Sequence, residues 1–256
     1  MVIKRRGVIP VYTSAPVVPP SQPVTSKLVL GWDFSGNEST VTVTGAGVSN
    51  VTDSSGNGNA GTQTVDARRM TYGVLTVNSK LVASTAADVV KHVIVPATIT
   101  GWAANGQPPF HMLCLFQAAT WTNAREVFLF KTAGAAPRFG LRLSTSGGTR
   151  VEARVPTAVP GSNTILSSQT ALAVDTTYLA ELSVDSGGTA SLIVNEGTAA
   201  TSTSASSGEA LSVRRLGDLT AAADMKVGGA YLFNDALTAP ELALWRTFLK
   251  ARWGYV

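Results

Sequence analysis

The sequence carries little charge. Aspartate, glutamate, lysine and arginine make up 14% of its 256 residues. Twenty basic and sixteen acidic side chains give a formal net charge of +4, and outside Lys4-Arg5-Arg6 the basic residues are dispersed. Nucleic-acid binding asks for a clustered basic stripe, so no nucleic-acid partner is expected. With so few charges, solubility rests on Ser, Thr and Asn. Cysteine occurs once, as Cys114 in FHMLCLF, so no internal disulfide can form. Its apolar neighbours mark a buried core thiol rather than a nucleophile, and a lone thiol suits folding in a reducing compartment such as a bacterial cytoplasm. No apolar run approaches the ~18 residues of a membrane-spanning helix, so no membrane insertion is expected. The start, MVIKRR, is basic, but the prolines of GVIPVYTSAPVVPP deny it the apolar helix of a signal peptide; the segment is expected to be retained.

Catalytic groups are also scarce. There are two histidines, His92 and His111, both in apolar strand-like runs. His111 alternates with Leu113 and Leu115, which reads as a satisfied core histidine rather than a base. A retaining glycosidase needs two carboxylates about 5–5.5 Å apart, and on one strand that asks for acidic residues near i and i+2. No such cluster occurs: Glu126 and Glu152 stand alone on their strands, and Asp185 sits at the edge of a turn. No catalytic residue is assigned, and the chain is expected not to be an enzyme.

What the sequence does have is β pattern. Hydrophobic residues make up 45%, with abundant Gly, Ser, Thr, Ala and Val, the composition of a β-sandwich. A chain of this length buries about 70% of its unfolded surface, enough for a core without disulfide staples. Residues 1–26 stand apart, with five prolines and almost no periodicity. Proline favours extended geometry, yet Ile3, Val8, Ile9, Val11 and Tyr12 are more apolar than a solvated tail requires. With Arg5 they are assigned to partner contact, making residues 1–26 an attachment arm in preference to a free tail.

From Lys27 onward strands dominate. KLVLGWDFSG reads as a strand with Leu28, Leu30, Trp32 and Phe34 on one face, and 72–83 and 91–97 as further strands. Residues 110–117 and 126–131, apolar on both faces, read as central strands. Two hairpins repeat a Ser-Gly-Gly turn. Facing residues must share a side of the sheet, so an odd loop is needed; Ser146-Gly147-Gly148 then pairs Leu143 with Val151, Leu141 with Ala153 and Arg142 with Glu152. By the same rule Ser186-Gly187-Gly188 pairs Val184 with Ala190 and Leu182 with Leu192. Residues 197–210 read as a loop. The chain closes on an apolar strand and one helix: Thr238 as N-cap with Glu241 completing a capping box, Pro240 in the first turn, Leu242, Trp245, Phe248 and Leu249 on one side, and Gly254 as the stop.

Four stretches carry a family resemblance. LVLGWDFSGN is similar to a first strand ending in Trp-x-Phe, and VTDSSGNGNAGT resembles an Asp-x-Ser-Gly-Asn-Gly-Asn loop. TTYLAELSVDSGGTASLIVNEG resembles a hairpin ending in a Tyr-Val-Asn-Gly type turn, and VGGAYLFNDALTAPELALWRTFLKARWG a closing strand plus helix. Over roughly residues 28–254 the chain thus resembles the concanavalin A-like lectin/glucanase superfamily, in its laminin-G-like branch. The Ala-Arg-Trp-Gly ending looks like modules of phage and gene-transfer-agent virion proteins. The resemblance implies an all-β, concanavalin A-like jelly-roll β-sandwich with one short C-terminal α-helix and an extended N-terminal arm. It implies a laminin-G-like domain over 27–256 and a non-enzymatic virion fibre, spike or decoration protein, made in a bacterial cytoplasm. The arm would bind other virion proteins, and the domain would meet host-surface polysaccharide, either as a monomer or as a homo-oligomer of open copy number. The alternatives are a free-standing lectin module and a polysaccharide-cleaving enzyme.

A sugar site needs an aromatic platform ringed by polar groups. Trp102 and Trp121 fall in loops, with Asn105, Gln107 and Asn123 close by in sequence, and these five are assigned to carbohydrate binding. For either tryptophan alone, capping an end of the core is an equal reading. Arg138, Arg142, Arg150 and Arg154 share the outer face of the first hairpin, which is either a meeting face for an acidic polysaccharide or a solvated surface. Asp53, Asn57 and Asn59 offer oxygens of the kind Ca²⁺ accepts. With one carboxylate among them the preferred reading is an Asx-rich turn, and neither a metal nor a cofactor is expected.

Overall fold

The computed structural model describes residues 20–36, 38–85, 91–94, 96, 98–102, 109–120, 125–131, 138–157, 163–203, 213–217 and 224–256. Ile3, Arg5, Val8, Ile9, Val11 and Tyr12 of the arm lie outside them. The first strands are β1 (Leu28–Asp33), β2 (Val41–Thr44), β3 (Gly47–Val51), β4 (Gly61–Thr62), β5 (Thr71–Val77), β6 (Lys80–Thr85), β7 (His92–Ile94) and β8 (Phe110–Ala118). They are followed by β9 (Arg125–Lys131), β10 (Arg138–Ser144), β11 (Arg150–Pro156), β12 (Asn163–Ser167), β13 (Thr177–Val184), β14 (Thr189–Val194), β15 (Ala200–Thr203), β16 (Val213–Gly217) and β17 (Met225–Phe233). Helix α1 (Ala239–Trp253) comes last, and no helix among the described residues is long and apolar enough to cross a membrane.

Every strand pairing among the described residues is antiparallel. One layer runs β15–β14–β13–β8–β17, with β1 and β6 sharing the far edge of β17 and β5 beyond β6. The other runs β12–β11–β10–β9–β16–β7–β4–β3–β2. The pairing of Gly47 with Thr71 joins β3 to β5 and links the two layers. Between them lies one core: Trp32, Met112, Cys114 and Leu232 from the first layer, and Leu141, Leu143, Val151 and Leu216 from the second, all buried. The chain is therefore an all-β, jelly-roll-like sandwich with one C-terminal helix.

Alternation on β17 explains how a single helix completes the fold. Ala230 and Leu232 face the central core, while Tyr231 and Phe233 face outward, with Leu113 and Leu115 of β8 beside them. That second apolar face must be covered, and α1 covers it with Trp245, Phe248, Leu249 and Trp253. The helix starts as its sequence dictates. The Thr238 hydroxyl accepts from the Glu241 N–H, and the Glu241 carboxylate accepts from the Thr238 N–H at 2.8 Å, which closes the capping box. It stops at Gly254, whose φ of +62° is left-handed.

Both Ser-Gly-Gly hairpins have the expected registers, Leu143 opposite Val151 and Leu182 opposite Leu192. Three local expectations change. A register shift between Leu28 and Leu30 turns Leu28 away from the core, so it packs under α1 while Leu30, Trp32 and Phe34 stay inside. Residues 72–83 are two strands, because Asn78 and Ser79 both take positive φ, +48° and +60°, and reverse the chain. Residues 200–203 form β15 rather than loop, pairing with β14.

Candidate functional site

A cleft of about 330 Å³ opens where four separated segments meet: the β2–β3 turn, the short 3-10 turn Asp66–Arg68, the start of β5, and Lys91 just before β7. Arg69 forms its wall. The Arg69 Nε donates to the Gln63 carbonyl at 3.0 Å, and its two terminal nitrogens donate to the carbonyls of Thr44 and Thr64, each at 3.3 Å. It is also ion-paired to Asp66. A side chain on Gly47 would collide with the Arg69 Cβ, so the glycine is what lets the arginine stem lie flat against the turn. Gly45, at φ +65°, tops the turn with open space where a side chain would stand. On the opposite side the Lys91 ammonium donates to the Thr71 hydroxyl at 2.8 Å. The cleft thus offers an ammonium, an exposed carboxylate, two threonines and the small apolar surfaces of Ala46 and Ala67.

The DSSGNGN loop is tied to the sandwich rather than open. Asp53 accepts from the backbone N–H groups of Gly31, Ser55 and Asn59 at 2.8–2.9 Å and from the Ser55 hydroxyl at 2.6 Å. The Asn59 amide donates to the carbonyls of Val29 and Thr100, and the Asn57 amide to that of Leu28. The polar side chains of this loop fasten it to β1, as an Asx-rich turn does.

The outer face of the second layer differs from a row of exposed arginines. Arg142 and Glu152, opposite each other in register, are both buried and joined by a hydrogen bond of 2.6 Å. Arg150 donates to the carbonyls of Gly147 and Ser168. The backbone register also sets Glu126, on β9, opposite Arg142 from the other side. Two carboxylate-bearing positions that are distant in sequence therefore flank one arginine across three neighbouring strands. Sheet pairing, not spacing along one strand, sets Glu126 and Glu152 at one level of the sheet, two strands apart.

Of the residues assigned to sugar binding, Trp102 is half-buried at the rim of the core, edge-to-face with Phe110 at 6.1 Å between ring centres. Asn105, Gln107, Trp121 and Asn123 lie outside the described residues. Arg138 is on β10, and its side chain is likewise outside them. His111 is in the core as expected, but it is not satisfied: neither ring nitrogen has a hydrogen-bond partner among the described residues. Burial lowers its pKa to about 3, helped by the positive charges of Arg246 and Lys27. Cys114 is fully buried, and burial pushes its thiol pKa up. Sequence reading did not find the Lys91 cleft, whose residues come from segments with no shared motif.

No protein-family model matches this sequence, and no curated protein matches it. Solved structures do. Trypanosoma rangeli sialidase in complex with sialic acid superposes with a TM-score of 0.58 at 15% identity, over 93% of this chain and 36% of the sialidase. The same sialidase bound to the inhibitor DANA gives 0.58 at 12% identity, over 94% of this chain and 37% of that one. Domain 4 of AbnA, a GH43 extracellular arabinanase from Geobacillus stearothermophilus, in complex with arabinotriose, gives 0.56 at 14% identity, over 86% of this chain and 98% of that domain. The chain spans just over a third of the length of these sialidase chains. The expectation that it is not an enzyme is corrected by these neighbours, which are chains of a sialidase and an arabinanase. At such identities the likeness establishes the β-sandwich fold that this chain shares with parts of carbohydrate-active proteins.

Proposed function

We propose that this domain binds carbohydrate through the cleft between the β2–β3 turn and Lys91. The observation that carries the proposal is the cleft itself. Its volume of about 330 Å³ lies in the ordinary range of small-molecule sites, about 300–1,000 Å³. Hydroxyl-rich ligands need donors and acceptors side by side, and Lys91, Asp66, Thr44 and Thr71 supply both. The structural neighbours support the same ligand class, since one is bound to sialic acid and another to arabinotriose. The test is a glycan array on the full chain, followed by NMR titration with the best ligand. Shifts centred on Thr44–Gly47, Thr71 and Lys91 support the site. Shifts confined to the region of Trp102 overturn it in favour of an aromatic platform. Assaying the same glycans for released sugar tests for cleavage, with Glu126→Gln and Glu152→Gln as the variants to compare.

A second reading concerns where the binding operates. Residues 1–26 would be an attachment arm and 27–256 the domain it carries, placing the chain in a virion made in a bacterial cytoplasm. The apolar run through Val8, Ile9, Val11 and Tyr12 supports this reading, together with the virion-like Ala-Arg-Trp-Gly ending. Sugar binding would then deliver the particle to host-surface polysaccharide. The Ser54 hydroxyl donates to Gln22 at 2.9 Å, so contacts with the domain already include that part of the segment. Removing only residues 1–19 is therefore the clean test. The shortened chain should bind sugar normally and fail to join particles, and co-purification with particles would rule the arm out as the anchor.

A further inference from the structure

The proposed cleft leaves its ligand class open, and its charges narrow it. Among the described residues, three charged side chains line it: Asp66, Arg69 and Lys91. Two of them cancel. Arg69 is ion-paired to Asp66, and three more of its N–H groups donate to the carbonyls of Gln63, Thr44 and Thr64. Its side chain is only 11% exposed, so it is part of the wall. Lys91 is different. An ammonium has three N–H donors, and among the described residues this one bonds a neutral hydroxyl, that of Thr71. Among the described residues no carboxylate lies within ion-pair distance of it. A half-buried cation with donors to spare, beside a carboxylate already engaged by an arginine, leaves the described lining of the cleft with one net positive charge.

We infer that the cleft takes an acidic sugar, whose carboxylate meets the Lys91 ammonium. This rests on the carbohydrate reading above and specifies its substrate class. The rest of the lining fits such a ligand. Asp66 is 83% exposed and bonds Arg69 through one oxygen, so the other can accept from a sugar hydroxyl. The ammonium, partly withdrawn from water, gains more from a carboxylate than a fully solvated lysine does. Thr71 sets its direction: the threonine is fixed in β5, pairing with both Ser84 and Gly47, and so holds the lysine head at the cleft.

The test uses the full chain, and two sources of sugar carboxylate: oligogalacturonates and sialyllactose. Each is compared with its own carboxyl-reduced form. The acidic form of at least one should bind tenfold or more tightly than its reduced counterpart, with affinity falling as salt rises. Lys91→Gln should abolish that preference without changing Tm, while Lys91→Arg should keep most of it. Equal affinity for acidic and reduced forms overturns the inference, as does a preference that survives in Lys91→Gln. In either case the carbohydrate reading stands, because sugar is still bound. Failure to bind these sugars or any member of a broad glycan array overturns both.

Discussion

Arg252, in the last turn of α1, is ion-paired to Asp33 at the end of β1, across 219 residues of chain. Asp33 is fully buried and the Arg252 side chain is 3% exposed. A second donor of the guanidinium reaches Glu38 at 2.8 Å, and the group lies over the Phe248 ring, 4.6 Å from its centre. The bond ties the covering helix to the first strand of the sheet. Removing one partner of a buried pair strands the other charge and costs about 3–5 kcal/mol. Arg252→Met or Asp33→Ala alone should each lower urea stability by that amount. The double replacement should lose less than the sum of the two, and strict additivity would show that the pair is not coupled.

Trp245 makes the main aromatic contacts of the helix. Its ring lies 5.0 Å from Tyr231, 5.1 Å from Phe233 and 5.6 Å from Phe248, the last two edge-on. Trp245→Ala should destabilise the fold by about 3–5 kcal/mol, as large aromatic truncations in cores do. A loss below about 1 kcal/mol in chemical denaturation would make α1 peripheral.

His111 predicts an acid limit to stability. Its folded pKa of about 3 lies below the ordinary histidine value of 6.5. Between those two values the unfolded chain binds a proton that the folded chain refuses. Stability is therefore complete above about pH 6.5 and is lost as pH falls toward 3, by up to about 1.4 kcal/mol per pH unit. Glu181 opposes this. Burial raises its pKa despite the Arg246 pair, so its protonation favours the folded state as pH drops. Denaturant midpoints of the native protein should fall between pH 6.5 and 4, and those of His111→Leu should not. Parallel profiles would assign the acid sensitivity elsewhere.

What could be read from the sequence was what the chain encodes locally. The cap of α1 needs only Thr238, Pro240, Glu241 and Gly254, all within one short stretch, and the structure has each in place. Hairpin register follows from parity, so Arg142 opposite Glu152 was legible too. Reading failed where the determinant is distant or conformational. The turn of Leu28 toward the helix depends on a register shift against β17. The position of Glu126 opposite Arg142 depends on strand order. The Lys91 cleft gathers four segments, none of which carries a pattern of its own.

The β5–β6 turn carries only a weak local signal. Asn-Gly announces a tight hairpin, and this chain has Asn78-Ser79 instead, both in the left-handed region. A serine held at φ +60° carries strain that glycine does not. Ser79→Gly should therefore raise stability by about 0.5–1 kcal/mol, part of the gain being offset by the added freedom of the unfolded chain. Asn78 should gain nothing from the same change. Its side-chain amide donates to the Arg252 carbonyl at 3.1 Å, joining the turn to the end of α1. Asn78→Gly relieves strain but removes that bond, so it should be neutral or destabilising. Thermal melts of the two variants side by side check the argument. A gain from Asn78→Gly equal to that from Ser79→Gly would mean that the bond to the helix contributes nothing, and that strain alone governs the turn.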